Sequence, residues 1–180
     1  KYRKDYKKYV VVTTDKHSKL YFIADKERFK VLEIPPKVGG RYSVFTYVGL
    51  FPLIVIGVNC RRLIDGAKSI TKSCLNEKIL KNPAAVSALI IYLQYKRGKS
   101  ILNNFLFSNE LENVGRWYRQ LVGESIGKER DFLGRLVNIG LTPTVAIGST
   151  DLHSMAQLYL GGGDDKITNF VTLINVKNKL

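Results

Sequence analysis

The sequence predicts an α/β fold built on an open, mostly parallel sheet with helices on both faces. Three observations point there. Short β-branched or apolar runs recur at 9–14, 29–35, 100–108, 142–148 and 166–176. Most of the stretches between them carry apolar residues at helical spacing. Such alternation favours parallel pairing, since parallel strands need a long crossover and a crossover helix covers one face of the sheet.

Taken in order, "YVVVTT" (Tyr9–Thr14) is a continuous β-branched run and reads as a strand buried on both faces. "SKLYFIADKERF" follows with Leu20, Ile23 and Ala24 on one helical side, and "FKVLEIP" is a strand closed by Pro35 and Pro36. The apolar run Val48–Val58 contains Pro52 and is 11 residues long. A bilayer span takes about 20, so a buried helix is expected. "NCRRLIDGAKSITKSCL" gathers Leu63, Ile64, Ala67 and Ile70 on one side. In "NPAAVSALIIYLQYKRG", Asn82 is placed to cap, Pro83 to open the helix and Gly98 to end it. After the strand "SILNNFLFS", the pair Asn109 and Glu112 forms a capping-box pattern for a helix expected to stop at Gly123. "TPTVAIG" reads as a strand, "STDLHSMAQLYLGGG" as a helix with a glycine stop, and "KITNFVTLINV" as the last strand.

The length of 180 residues suits a single domain over 1–180, and no linker or repeat interrupts it. Apolar residues make up 45 % and charged residues 24 %, which excludes a disordered chain. A net charge of +14 would suit nucleic acid, an anionic membrane or phosphorylated ligands. Outside the leading "KYRKDYKKY" the lysines are scattered and no nucleic-acid motif accompanies them, so no nucleic-acid partner and no membrane association are expected. A charge-driven nucleic-acid binder would show steep salt dependence. Cys60 and Cys74 form neither a disulfide framework nor a metal spacing, which favours a reducing, cytoplasmic setting. The chain contains no phosphate-loop, dinucleotide or nucleophile-elbow motif.

Three places could carry chemistry. "GGRYS" (Gly39–Ser43) follows a strand, where ligands gather in open sheets. Its glycines allow unusual angles and close approach, and Arg41 offers a permanent cation, although a plain turn with an exposed arginine fits equally. In "WYRQLVGESIGKE", Gln120 and Glu124 are four apart and share a helical side. Glu124 is either a general base or a solvated acid paired with Lys128. His153 falls in the first turn of its helix, behind Ser149 or Thr150 as cap, and reads either as a proton carrier or as a packed histidine. His17 has no evident companion.

Together, "VGGRYSVFTYVGL", "GRWYRQLVGESIGKE" and "STDLHSMAQLYLGG" resemble the glucose-6-phosphate isomerase family, whose patterns G-G-R-[YF]-S and E-S-x-G-K stand here at 39–43 and 124–128. The resemblance is to the second of that family's two sugar-isomerase (SIS) domains. It implies a SIS-type, flavodoxin-like sheet, dimers, and an active site between domains and subunits. By that resemblance Glu124 moves a proton between C2 and C1 of the open-chain sugar phosphate. Arg41 stabilises the cis-enediolate, and His153 assists ring opening from across the dimer. Gln120 and Gly40 contact substrate. Neither a metal nor an organic cofactor is implied. The family's Ser/Thr-rich phosphate loop belongs to the first SIS domain and has no equivalent here. Its catalytic lysine lies beyond the last strand, and Lys177 and Lys179 come too early for it. "DLH" stands where many members carry Q-H. The chain is therefore expected to be one domain of a longer isomerase, poorly active alone. The alternative is a SIS module that binds sugar phosphate without turning it over and does not need Glu124.

Overall fold

A computed structural model describes residues 5–173. Lys177, Lys179, the end of the expected last strand and the first residues of the basic leader lie outside the described residues. Compactness divides the chain into residues 1–75 and 76–180, a division of which composition gave no sign.

In the first unit, β1 (Val11–Thr14) pairs in parallel with β2 (Lys30–Glu33), and α1 (Lys19–Lys26) is the crossover between them. Ser18 caps α1 by accepting the Tyr21 N–H at 3.0 Å, and its hydroxyl meets that of Thr14 at 2.7 Å. Only Thr14 of β1 is buried, which corrects the expected strand covered on both faces. Among the described residues each strand here has a single partner strand, so most of the run is only half-covered. Of the expected α1 face, Ala24 is buried while Leu20 and Ile23 stay exposed.

Beyond a 3-10 turn (Gly40–Phe45), α2 (Tyr47–Val55) holds Pro52 and is capped by Thr46. The buried helix expected at Val48–Val58 is a second correction. The helix ends at Val55, none of its residues is buried, and Ile54, Val55 and Ile56 are 60 %, 68 % and 73 % exposed. Apolarity foretold a need for cover that the described residues of the first unit do not supply. α3 (Cys60–Cys74) starts at Asn59, whose Oδ1 accepts the Arg62 N–H at 3.1 Å. Ile64 and Ala67 are half-buried, whereas Leu63 and Ile70 remain exposed.

In the second unit, α4 (Pro83–Lys96) opens on Pro83, with Asn82 Oδ1 accepting the Ala85 N–H at 3.0 Å, a cap worth about 1 kcal/mol. Gly98, at φ +92°, follows its end in the left-handed region that glycine tolerates. β3 (Ile101–Leu106) is the central strand, flanked in parallel by β6 (Thr142–Ile147) and β7 (Lys166–Val171). Helices α5 (Glu112–Ile126) and α6 (Thr150–Gly161) complete the layers. Side chains alternate across β3. Leu102 packs with Ile167, with Val122 and Tyr118 of α5 and with Ile91 of α4. On the other face the Phe105 ring meets Tyr159 of α6 edge-on, with centroids 6.2 Å apart. This sheet thus has helices on both faces, as the sequence predicts.

A hairpin, β4 (Lys128–Arg130) and β5 (Leu136–Ile139), separates α5 from β6 and was not foreseen. "KER" offers no apolar alternation to announce a strand. Its turn is built by Asp131, whose Oδ1 accepts the Leu133 and Arg135 N–H groups at 2.9 and 3.0 Å, and whose Oδ2 accepts Arg135 Nε at 2.7 Å. Burial pushes this carboxyl up, but the hydrogen bonds from Arg135 and Leu133 outweigh it and hold it below its ordinary value. A carboxyl lowered on folding stabilises the fold above its unfolded value and loses that contribution as pH falls through the folded one. Acidification is therefore expected to loosen the turn first, read as lost exchange protection at the Leu133 and Arg135 amides. Protection that survives full protonation of the carboxylates would contradict this.

Candidate active site

Gly40 and Arg41 belong to the first unit. Their motif forms the 3-10 turn that follows β2, tied shut by Ser43, which is buried and donates its hydroxyl to Gly40 O at 2.6 Å. Gly39 sits at φ −66° and Gly40 is not at positive φ, so neither glycine is there for an unusual angle. What their lack of a side chain leaves is room: a Cβ on Gly40 would meet nothing within 4 Å. A ligand can come close to that backbone. The Arg41 guanidinium is 4.9 Å from the Tyr42 ring centre and half-buried, a stacked geometry that lysine would not reproduce.

Gln120 and Glu124 are carried by α5 in the second unit. The structure brings them together: Gln120 Nε2 donates to Glu124 Oε1 at 2.8 Å across one helical turn. Both are exposed. The expected helix stop at Gly123 is corrected. α5 runs through Glu124 to Ile126 and ends at Gly127, whose N–H still reaches Gly123 O at 3.3 Å. A mid-helix glycine costs about 1 kcal/mol against alanine, which this helix tolerates. A Cβ at 123 would only touch Pro143 at 4.0 Å, whereas one at 127 would lie 2.8 Å from Gly123 O. The second glycine is thus the demanding one, and Glu124 is aimed by helical geometry rather than by a loop. The start of α5 also differs. A 3-10 turn at Asn109–Leu111 precedes it, and Ser108, not Asn109, accepts a backbone N–H, that of Glu110, at 3.2 Å.

His153 lies in the first turn of α6 and is exposed. Ser149 occupies the cap position but makes no side-chain capping bond, so the expected cap is absent. Asp151, which sequence reasoning missed, accepts the Ile147 N–H on Oδ2 at 2.6 Å instead. α5 and α6 pack on opposite faces of the β6-β3-β7 sheet, so Glu124 and His153 are presented on opposite sides of it.

Two cavities lie near these elements, the first clear of the site residues and the second reaching Gly39 of the glycine–arginine motif. One of about 520 Å³ is apolar and lies between α4, α5 and Ile139–Leu141, walled by Ile91, Tyr92, Tyr95 and Tyr118. Burial pushes the Tyr118 phenol up. The other, about 620 Å³, opens at the carboxyl ends of β1 and β2 beside Lys16, His17, Glu33 and Lys37, and there His17 finds charged neighbours. Among the described residues, no group of three His, Cys, Asp or Glu could hold a metal, and no helix is long and apolar enough to cross a membrane.

A family model described as phosphoglucose isomerase matches residues 3–180. The chain belongs to the phosphoglucose isomerase family. A glucose-6-phosphate isomerase of Methanocaldococcus jannaschii is 44 % identical over 148 residues, covering 82 % of this chain and 35 % of that protein. A probable glucose-6-phosphate isomerase of Methanococcus maripaludis is 42 % identical over 176 residues, covering 98 % and 38 %. Among solved structures, a hypothetical protein from Thermus thermophilus superposes with a TM-score of 0.83 at 33 % identity, over 92 % of this chain and 39 % of that one. A glucose-6-phosphate isomerase from Chlamydia trachomatis shares the fold with a TM-score of 0.75 at 24 % identity, over 89 % and 32 %. The chain thus spans well under half the length of these phosphoglucose isomerase relatives.

Proposed function

We propose that this chain supplies part of a sugar-phosphate aldose–ketose isomerase that interconverts glucose 6-phosphate and fructose 6-phosphate through a cis-enediolate. The observation that carries the reading is the Gln120–Glu124 pair, a carboxylate held on one oxygen by an amide donor on an exposed helical face. Membership of the phosphoglucose isomerase family supports it. In this reading Glu124 removes the proton from C2 of the open-chain aldose, electrons shift onto O1, the hydroxyl proton of O2 passes to O1, and the same carboxylate returns a proton to C1 to leave the C2 ketone. The developing oxyanion is stabilised by the Arg41 guanidinium, an effect strongest where water is excluded. Gln120 and the open backbone at Gly40 contact substrate. His153 assists ring opening in the site of a second copy, and its position across the sheet from Glu124 supports such sharing. The phosphate loop comes from a first SIS domain, the catalytic lysine from beyond the last strand, and the setting is cytoplasmic. The test is isotopic. A polypeptide of the relatives' length carrying this segment, turning over fructose 6-phosphate in D2O, should place solvent deuterium at C2 of the glucose 6-phosphate. Product free of solvent deuterium, together with turnover retained in Glu124→Gln, would indicate a hydride shift and overturn the enediolate.

A further inference from the structure

The first turn of α6 is fastened to the sheet by one carboxylate, and the geometry points to Asp151 as the positioning residue for His153. The inference rests on the reading that His153 assists ring opening. A helix start leaves backbone N–H groups that a capping side chain usually satisfies. Ser149 makes no such bond, and Asp151 reaches back out of the helix to the Ile147 N–H on β6, at 2.6 Å. A carboxylate acceptor makes this a charge-assisted bond, stronger than a neutral one. A carboxylate in the first turn is also favoured by the helix dipole. A cap would secure only the helix, whereas this contact secures the helix to the strand.

The segment between the two ends of the tie is held as well. Gly148 donates its N–H to Leu106 O at 2.8 Å. A Cβ on Gly148 would lie 2.7 Å from Phe107 Cδ1 and 2.9 Å from Phe105 Cε1, so the loop backbone rests directly on those rings. Phe105 in turn meets Tyr159, near the far end of α6. The end of β6, the loop and α6 thus make a closed frame, with His153 two residues beyond the tie. Releasing the carboxylate leaves the ring packing in place and frees the first turn to swing. About 1 Å of misplacement costs on the order of 10²-fold in rate, and a partial release should cost on the order of tenfold.

The experiment compares two substrates in a polypeptide of the relatives' length carrying this segment. Fructose 6-phosphate must be opened, whereas 5-deoxyfructose 6-phosphate lacks the hydroxyl that closes the ring. Asp151→Ala should lower kcat on the first by about tenfold, leave KM near its original value, and leave turnover of the second unchanged. Asp151→Asn, which keeps a carbonyl acceptor for Ile147, should recover most of the loss. In the 180-residue chain, the Ile147 amide proton should move upfield in the alanine variant and less in the asparagine one. Equal loss on both substrates, or no recovery in Asp151→Asn, overturns the assignment. His153→Ala is measured alongside. If it shows the ring-selective loss and Asp151→Ala does not, this inference alone fails. If His153→Ala shows no selectivity, the reading of His153 fails and takes the inference with it.

Discussion

Glu124→Gln, in a polypeptide of the relatives' length carrying this segment, is expected to lower kcat for fructose 6-phosphate isomerisation by roughly 10²–10⁴-fold, the usual contribution of a positioned acid–base group. KM should change little, because the lost interaction belongs to the transition state. The substitution is nearly isosteric. Its carbonyl oxygen can still accept from Gln120 Nε2, which now bonds Glu124 Oε1 at 2.8 Å. The arrangement of the helix is therefore preserved while the proton acceptor is removed. A coupled steady-state assay reads the result, and retained turnover would remove Glu124 from the role of base. A polypeptide that binds fructose 6-phosphate but does not convert it, with Glu124 intact, would instead favour a module that only binds sugar phosphate.

The largest effect on stability is expected from Phe105→Ala, about 3–5 kcal/mol. Phe105 is fully buried in β3, and its ring lies 5.1 Å from Phe107, 5.9 Å from Phe170 and 6.2 Å from Tyr159. Truncation removes one side of each contact and leaves a void that a rigid parallel sheet cannot close. Urea unfolding followed by circular dichroism measures the loss. A change under about 1 kcal/mol would mean that the core collapses around the gap.

The second unit was largely legible in the sequence. α4 was marked at both ends by Asn82, Pro83 and Gly98, and β6 by a compact apolar run. The pairing of Gln120 with Glu124 followed from their spacing. Other features were hidden for physical reasons. Gly123 resembles a stop, but a glycine ends a helix only where the backbone bonds also end, and here they continue to Ile126. The tie from Asp151 joins a strand to the helix after it, a contact that no periodicity encodes. Asn103 and Asn104 are buried in the centre of β3, where composition argues against them. Their side-chain oxygens accept from Thr144 Oγ1 at 2.9 Å and from Asn169 Nδ2 at 3.2 Å, partners brought near only by the sheet. The apolarity of α2 was plain, but a segment's own sequence does not say which layer will cover it.

Because Glu124 is mounted on a continuous helix, this region should be unforgiving of changes in chain length. One residue inserted between Glu112 and Gln120 would rotate the carboxylate by about 100° around the helix axis and turn it from its present side. Three or four would nearly restore its bearing but shift it by about 5 Å along the axis. The Phe132–Gly134 segment between β4 and β5 carries no such phase. Insertions there should be absorbed, so length variation among natural or engineered variants should collect at the hairpin and be missing from α5.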